Sequence, residues 1–329
     1  MTTPDPPINW KDSAVLITGG TGSFGNKFVE AMLSRYRPRR LVVFSRDELK
    51  QSEMMARFSD PSLRFFIGDV RDKERLERAM HGVDFVFHAA ALKQIPSCEY
   101  NPFEAIQTNV IGAKSVIDAA IDAGVKRVLA LSSDKAVNPI NLYGATKLCA
   151  EKLFVQGNVY GFPRGTRLSC VRYGNVIGSR GSVIPLFAAQ RANGTVTVTD
   201  PAMTRFWITL EQGVEFVIRC LGLMRGGEIF VPKLPSMRIM DLVEAVAPGC
   251  RVEFVGIRPG EKLYEVLISD DEARQTVELE DMYVVEPVLP RWGYKPWQEG
   301  KRLPGAYRYA SDTNEHVLTP SEMRSLVNG

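Results

Sequence analysis

The amino-acid sequence predicts an α/β fold: a doubly wound parallel sheet with a smaller lobe supplied by the C-terminal part. Three observations predict it. Short, nearly continuous apolar runs alternate with amphipathic stretches through the first half of the 329 residues. Strands buried on both faces read this way, and the helices between them cover those faces. The first apolar run ends in a glycine-rich turn that opens a helix. After about Asn175 the alternation gives way to segments broken by Gly and Pro, such as GSRGSVIP, TDPAMTRFW and GIRPGEK. Short mixed elements with many loops suit a lobe seated over one edge of the sheet.

The strands are expected at AVLITG (14–19), RLVVFS (40–45), RFFIGD (64–69), DFVFHAA (84–90), RVLALSS (127–133) and LSCVRYGN (168–175). Amphipathic helices are expected at 25–36, 72–82 and 109–124. This order is that of a Rossmann-like sheet. The stretch 226–247, GGEIFVPK followed by MRIMDLVEAVAP, is expected to return to the main sheet.

Composition narrows the functional classes. The chain is 45% hydrophobic with a net charge of +3, its charges spread along the sequence. That is too balanced for a nucleic-acid or membrane-surface binder. The five cysteines have no CxxC spacing and the three histidines no HExxH pattern, so neither a disulfide framework nor a metal site is expected. The N-terminus lacks the basic-then-apolar layout of a signal peptide. No apolar run approaches the ~18 residues of a membrane span. A soluble cytoplasmic protein is the expectation.

In TGGTGSFG, Gly19, Gly22 and Gly25 form GxxGxxG between a strand and a helix. Glycine lets the backbone approach a pyrophosphate, and the helix N-terminus offers free N–H groups to it. Thr21, Ser23 and Phe24 belong to the same turn. An NAD enzyme usually ends its second strand with an acid that binds the ribose hydroxyls. Here Ser45 stands in that place and Arg46 follows. A hydroxyl plus a guanidinium suits the 2′-phosphate of NADP. The other reading makes Arg46 a surface cation and gives the ribose to Asp47. Asp69 and Val70, ending the third strand, are placed to meet adenine. Ala89, Ala90 and Ala91 would pass beneath the cofactor.

Tyr143 and Lys147 are four apart, so a helix puts them on one face. A lysine beside a phenol favours the phenolate, and a bound oxidised nicotinamide would add to this. Such a tyrosine can take a proton from a sugar hydroxyl. Ten residues earlier, SSDK (Ser132–Lys135) ends a strand with acid, base and hydroxyl groups.

TGGTGSFG, HAAALK, NLYGATK and RYGNV together resemble the extended short-chain dehydrogenase/reductases that act on nucleotide sugars. FSRDELKQSEM, HAAALKQIPSCEYNP, SSDKAVNPINLYGATK, RYGNVIGSRGSVIP, MTRFWIT, GGEIFVPKLPSM and GIRPGEKLYE resemble a narrower group, the inverting UDP-N-acetylglucosamine 4,6-dehydratases of the pseudaminic-acid type. The similarity spans roughly residues 10–285. Ser133 departs from the threonine common there but keeps the hydroxyl. Larger members carry an N-terminal membrane region, and this sequence is expected to start at the catalytic part.

The resemblance implies an NADP-binding Rossmann domain with the catalytic residues over 10–178. It implies a mainly substrate-binding lobe over 179–329. Its catalytic set falls on Ser133, Asp134, Lys135, Tyr143 and Lys147. Ser133 would bind the oxygen on carbon 4, and Tyr143 would deprotonate that hydroxyl. Lys135, if neutral, could remove the carbon-5 proton, and Asp134 could help protonate the departing carbon-6 hydroxyl. The division between those two stays open. Lys93, Asn109 and Val176 join the cofactor contacts. Lys93, Asn175, Arg180, Gly181, Ser182, Val183, Thr199, Arg258 and Glu261 are the implied substrate contacts. Arg205 is either a further one or a structural ion-pair partner. A UDP-sugar is the expected partner, although GDP is not excluded. A homo-oligomer is expected through helices near 93–118 and 143–158. The alternatives are a nucleotide-sugar 4-epimerase and a non-catalytic NADP sensor on the same fold.

Overall fold

The computed structural model describes residues 7–179 and 181–328. Its centre is a parallel sheet of β1 (Ala14–Thr18), β2 (Arg40–Ser45), β3 (Leu63–Ile67), β4 (Phe85–His88), β5 (Arg127–Leu131) and β6 (Arg167–Val171). The order is β3-β2-β1-β4-β5-β6, so the winding reverses between β1 and β4. The carboxyl ends of those two strands therefore flank a crevice where a dinucleotide fits. Every residue of β1 and β5 is buried. This explains why their sequences are apolar without alternation.

Helices α1 (Ser23–Ala31), α2 (Glu48–Arg57), α3 (Lys73–Met80), α4 (Ile95–Tyr100), α5 (Pro102–Ile106), α6 (Gly112–Asp122) and α7 (Leu142–Gly161) lie between the strands. Asp47 and Asp72 start α2 and α3 by accepting the backbone N–H of Lys50 and Arg75. Each thereby satisfies an orphan donor of the first helical turn.

Beyond β6 the chain alternates between lobe and sheet. β7 (Asn175–Val176), α8 (Val183–Arg191), β8 (Thr195–Val198) and β9 (Thr204–Ile208) belong to the lobe, and α9 (Leu210–Leu223) packs on α1. β10 (Ile229–Pro232) then joins β6 in parallel. β11 (Ser236–Arg238) pairs β9, α10 (Ile239–Val246) packs into the lobe core, and β12 (Arg251–Phe254) pairs β8. β13 (Val266–Ile268) and α11 (Asp270–Ala273) follow. β14 (Thr276–Glu278) and β15 (Met282–Val285) form an antiparallel hairpin, and β15 pairs with β10 at the sheet edge. β16 (Lys301–Arg302) extends this edge, β17 (Tyr309–Ala310) pairs β13, and α12 (Pro320–Asn328) closes on α10.

The expected return to the sheet near 226–247 is thus narrower at that place, since only Ile229–Pro232 enters it. It is also repeated later by the unforeseen β14–β16 edge. The apolar face of α10 is buried among lobe residues such as Phe187 and Val196, not on the sheet.

One ionic cluster locks the two parts together. The Arg172 guanidinium, wholly buried, donates from Nε and Nη2 to Glu151 of α7, both at 2.7 Å. Nη1 and Nη2 donate to Glu272 of α11 at 2.9 and 2.7 Å. Burial pushes this guanidinium toward neutrality, and the two carboxylates outweigh it. Removing one partner of such a group strands the others in low dielectric. Arg172→Met is expected to cost about 3–5 kcal/mol in a denaturant titration. A loss below about 1 kcal/mol, as for an exposed pair, would show that the cluster does not hold the lobe.

Candidate active site

The glycine turn sits where the crevice begins. Gly19 has φ +66°, and a Cβ there would lie 2.8 Å from the Ala90 nitrogen. The close approach brings the turn against the strap that leaves β4. A Cβ at Gly25 would fall 2.2 Å from the Gly20 carbonyl oxygen, so glycine lets α1 start directly on the turn. Ala89 N and Ala90 N donate to Thr18, at its carbonyl and hydroxyl oxygens. His88 beneath them hydrogen-bonds Thr18 through Nδ1 at 2.8 Å, and burial pushes it down to about 3.

The end of β2 carries no free acid. Asp47 is committed to capping α2. Ser45 Oγ lies 2.7 Å from Thr21 Oγ1, bonding strand end to glycine turn. Arg46 is half exposed beside Asp69, 3.3 Å away. Burial would raise the Asp69 carboxyl, but the hydrogen bonds from Arg71 hold it below the usual carboxylate range. Val70 is buried. This donor set fits an anionic dinucleotide.

The chemical groups converge at the end of β5. Ser133 starts a short 3₁₀ turn, Asp134–Ala136, by accepting the Lys135 N–H. Its hydroxyl donates to Asp134 Oδ1 at 2.6 Å and lies beside the Tyr143 phenol. The first turn of α7 lies flat on this segment. A Cβ at Gly144 would be 2.2 Å from the Lys135 carbonyl oxygen. Asn141 caps α7 and also donates to the Gly260 carbonyl at 2.8 Å. A lobe loop is thereby pinned over the active-site helix.

Lys135 Nζ lies 3.0 Å from Asp134 Oδ1 and 3.3 Å from Glu265 Oε1. Burial would favour the neutral amine, but the two carboxylates outweigh it and hold Lys135 above the ordinary lysine value. Without ligand the site thus favours the ammonium, whereas removal of the carbon-5 proton by Lys135 would need the neutral amine. Lys147 is buried and donates to the Leu131 carbonyl at 2.6 Å. The expected lowering of Tyr143 by Lys147 is corrected. Burial pushes the Tyr143 phenol up to about 12, with Lys135 and the Ser133 hydrogen bond pulling downward.

Several lobe residues meet this centre. Gly181, at φ +71°, comes so close to Gln94 that a Cβ would lie 2.8 Å from its side-chain nitrogen. This seats Gly181 against Gln94, the neighbour in sequence of Lys93, whose ammonium is disfavoured by burial and by Lys135. Asn175 Oδ1, Ser182 Oγ and Glu261 Oε2 are buried with no hydrogen-bond partner. Buried polar atoms are normally satisfied, so these three are ready to accept or donate to a polar ligand. Arg258 is exposed, 3.9 Å from Glu261. Val176 lines β7, and Val183 begins α8.

Other expected contacts also have partners within the protein. The Asn109 amide bonds the Leu92 backbone and Thr146, fixing the strap to α7. Arg205 donates to the carbonyls of Thr204, Leu263 and Lys262, pinning the backbone at 262 and 263. The Thr199 hydroxyl donates to Met203 Sδ. Arg180 lies outside the described residues. Glu265, Lys262 and Gly144 were missed. The signal available for the first two was the pair of opposite charges in EKLYE, just before a short apolar strand.

A model of the polysaccharide biosynthesis protein family matches residues 15–287. The chain belongs to that family. It is 48% identical over 323 residues, 95% of this chain and 97% of the other, to an inverting UDP-N-acetylglucosamine 4,6-dehydratase of Campylobacter jejuni strain 81-176. It is 46% identical over 329 residues, 96% and 95% of the two chains, to a UDP-glucose 4-epimerase of Rickettsia conorii. The crystal structure of Pen from Bacillus thuringiensis superposes with a TM-score of 0.90 at 41% identity, covering 98% of both chains. The fold is that of the extended short-chain dehydrogenase/reductases. Among the described residues no helix is long and apolar enough to cross a membrane, and no cluster of three metal-ligating side chains occurs.

Tyr143 is expected to titrate late in nucleotide-free protein. At pH 10, where a free phenol is half ionised, the absorbance difference from Tyr143→Phe should show well under half a phenolate. Adding oxidised nicotinamide cofactor should move the titration to lower pH, because it brings a positive charge. Ionisation below pH 10 without cofactor would contradict this electrostatic picture.

Proposed function

We propose that the protein is a nucleotide-sugar 4,6-dehydratase. Its reaction would convert UDP-N-acetylglucosamine to UDP-2-acetamido-2,6-dideoxy-β-L-arabino-hexos-4-ulose, with carbon 5 inverted, through bound NADP. The observation that carries this is the Asp134–Lys135 pair beside Tyr143. A 4-epimerase needs only the tyrosine and its lysine. Loss of water from carbons 5 and 6 needs a further acid and base at the same sugar. A sensor protein would need none of these groups. The Campylobacter relative's name agrees with the dehydratase reading, and the Rickettsia relative's name makes the epimerase the reading to test against it.

The chain's own groups divide the work. Ser133 orients the oxygen on carbon 4, and Tyr143 takes its proton. When bound, NADP would supply the hydride acceptor for carbon 4 and the hydride for carbon 6. The ketone at carbon 4 acidifies the carbon-5 proton, and Asp134 and Lys135 manage that proton and the departing carbon-6 hydroxyl. Lys147 supports the cofactor side of Tyr143. Gly19, Gly22 and the α1 N-terminus would hold the pyrophosphate. Arg46 and Ser45 would hold the 2′-phosphate, and Asp69 and Val70 would border the adenine. Asn175, Ser182, Glu261 and Arg258 would take the UDP-sugar.

We propose further that the protein is a homo-oligomer. Tyr100, Phe103 and Tyr160, on α4, α5 and α7, are among the most exposed large apolar side chains, at 86%, 80% and 73%, which supports association through these helices.

Incubation with UDP-N-acetylglucosamine is expected to give a product lighter by one water, in the β-L-arabino configuration. In heavy water it should carry deuterium at carbon 5. Lys135→Ala should lower turnover at least about 100-fold, the range of one acid–base group, with cofactor uptake nearly intact. A product of unchanged mass identifies an epimerase, and retained carbon-5 configuration refutes the inversion.

Cofactor choice has its own test. Arg46→Ala should weaken NADP binding far more than NAD binding, by about 10-fold or more for a lost charge-assisted contact. Equal losses for both cofactors would remove the 2′-phosphate assignment.

A further inference from the structure

Glu265 stands just before β13 in the lobe, far from SSDK in sequence, and only 2% of it is exposed. Its Oε1 lies 3.3 Å from Lys135 Nζ, while its Oε2 has no hydrogen-bond partner. On the other side of the same ammonium, Asp134 Oδ1 lies at 3.0 Å, and Asp134 Oδ2 also lacks a partner. A buried carboxylate with half its acceptor capacity unused is costly unless a cation holds it. Here the close cation is Lys135. The other charges facing the group are more distant or otherwise engaged. Arg205 Nε and Lys262 Nζ are each 3.9 Å from Glu265. The Lys262 ammonium donates to the Val137 carbonyl at 2.6 Å. Lys93 and Tyr143 border the cluster.

We propose that Glu265 is a positioning residue for the reaction: with Asp134 it forms a carboxylate pair that holds Lys135 as an ammonium at the sugar, so that Lys135 serves as the proton donor to carbon 5. In that step an ammonium N–H bond breaks. Its proton joins carbon 5 using the electron pair of the 4,5-enolate, the carbon-4 ketone re-forms, and Lys135, left neutral, is re-protonated from solvent. The base that removed the original carbon-5 proton is then a different group, acting on the opposite face of the sugar. Two groups, one removing and one delivering, are what inversion at carbon 5 requires. A single group acting on one face would restore the starting configuration. The inference rests on the dehydratase reading and adds to it the division of labour and a residue from the lobe.

The experiment compares wild type, Glu265→Gln and Glu265→Asp as cofactor-loaded enzymes. The pH dependence of kcat for UDP-N-acetylglucosamine is measured, together with the Lys135 Cε resonance of 13C-lysine-labelled protein without substrate, assigned with Lys135→Arg. If Lys135 donates, activity needs its charged form and is lost as pH rises through its pKa. Removing the Glu265 charge lowers that pKa, so Glu265→Gln should bring the alkaline limb down by about one to three pH units. The Lys135 resonance should titrate lower by a similar amount. Glu265→Asp should restore most of the wild-type profile, and cofactor uptake reports folding of each variant. An unchanged alkaline limb and resonance in Glu265→Gln would reduce Glu265 to a packing role and overturn the proposal. So would higher activity of Glu265→Gln at neutral pH, the sign expected if neutral Lys135 were the base. Wild type that removes no water would refute the dehydratase reading, while the resonance titration would still decide whether Glu265 holds the ammonium.

Discussion

The Lys135 ammonium, held between one carboxylate from each half of the chain, is the interaction on which the site depends. Asp134 comes from the end of β5 and Glu265 from the lobe. Neither carboxylate is stable alone at that depth. The lobe loop must therefore lie across the α7 N-terminus, and its other contacts are consistent with that demand. Asn141 grips the Gly260 carbonyl, Lys262 grips the Val137 carbonyl, and Arg205 ties down the backbone at 262 and 263. Behind them, Arg172 joins α7 to α11 through two glutamates. The lobe is thus attached where its charges reach the chemical groups, and the catalytic turn is completed by residues distant in sequence.

The parallel sheet was legible because its strands are buried on both faces and leave apolar runs in the sequence. The glycine turn and the Tyr143–Lys147 pair were legible because their spacing alone places them on one edge and one helix face. The predicted strands at 127–133 and 168–175 overran, since β5 stops at Leu131 and β6 at Val171. The residues beyond are those whose backbone must turn into the site. Glu265 was not legible, because no local pattern tells a lobe glutamate that it will meet a lysine from another strand end. The structural bonds of Asn109 to Leu92 and Thr146, and of Arg205 to three backbone carbonyls, were not legible, because amides and guanidiniums serve protein and ligand alike. The β14–β15 hairpin had a signal, apolar runs on either side of Glu280 and Asp281, which the looser pattern around it concealed.

Relatives of nearly equal identity carry the names of a dehydratase and an epimerase. Whole-chain likeness therefore does not separate the two chemistries, since one fold hosts both. They share oxidation at carbon 4 and diverge once the ketone has formed. An epimerase returns hydrogen to carbon 4 from the other face. A dehydratase expels the carbon-6 hydroxyl and delivers that hydrogen to carbon 6. The second course needs an acid and a base beyond the tyrosine, and the Asp134–Lys135–Glu265 cluster stands beside Tyr143.

The most direct measurement is the fate of a label. UDP-N-acetylglucosamine carrying deuterium at carbon 4 is converted by the purified protein, and the product is read by NMR. The account predicts deuterium in the new methyl group at carbon 6 and none at carbon 4. Deuterium returned to carbon 4, with the carbon-6 hydroxyl intact, would contradict it.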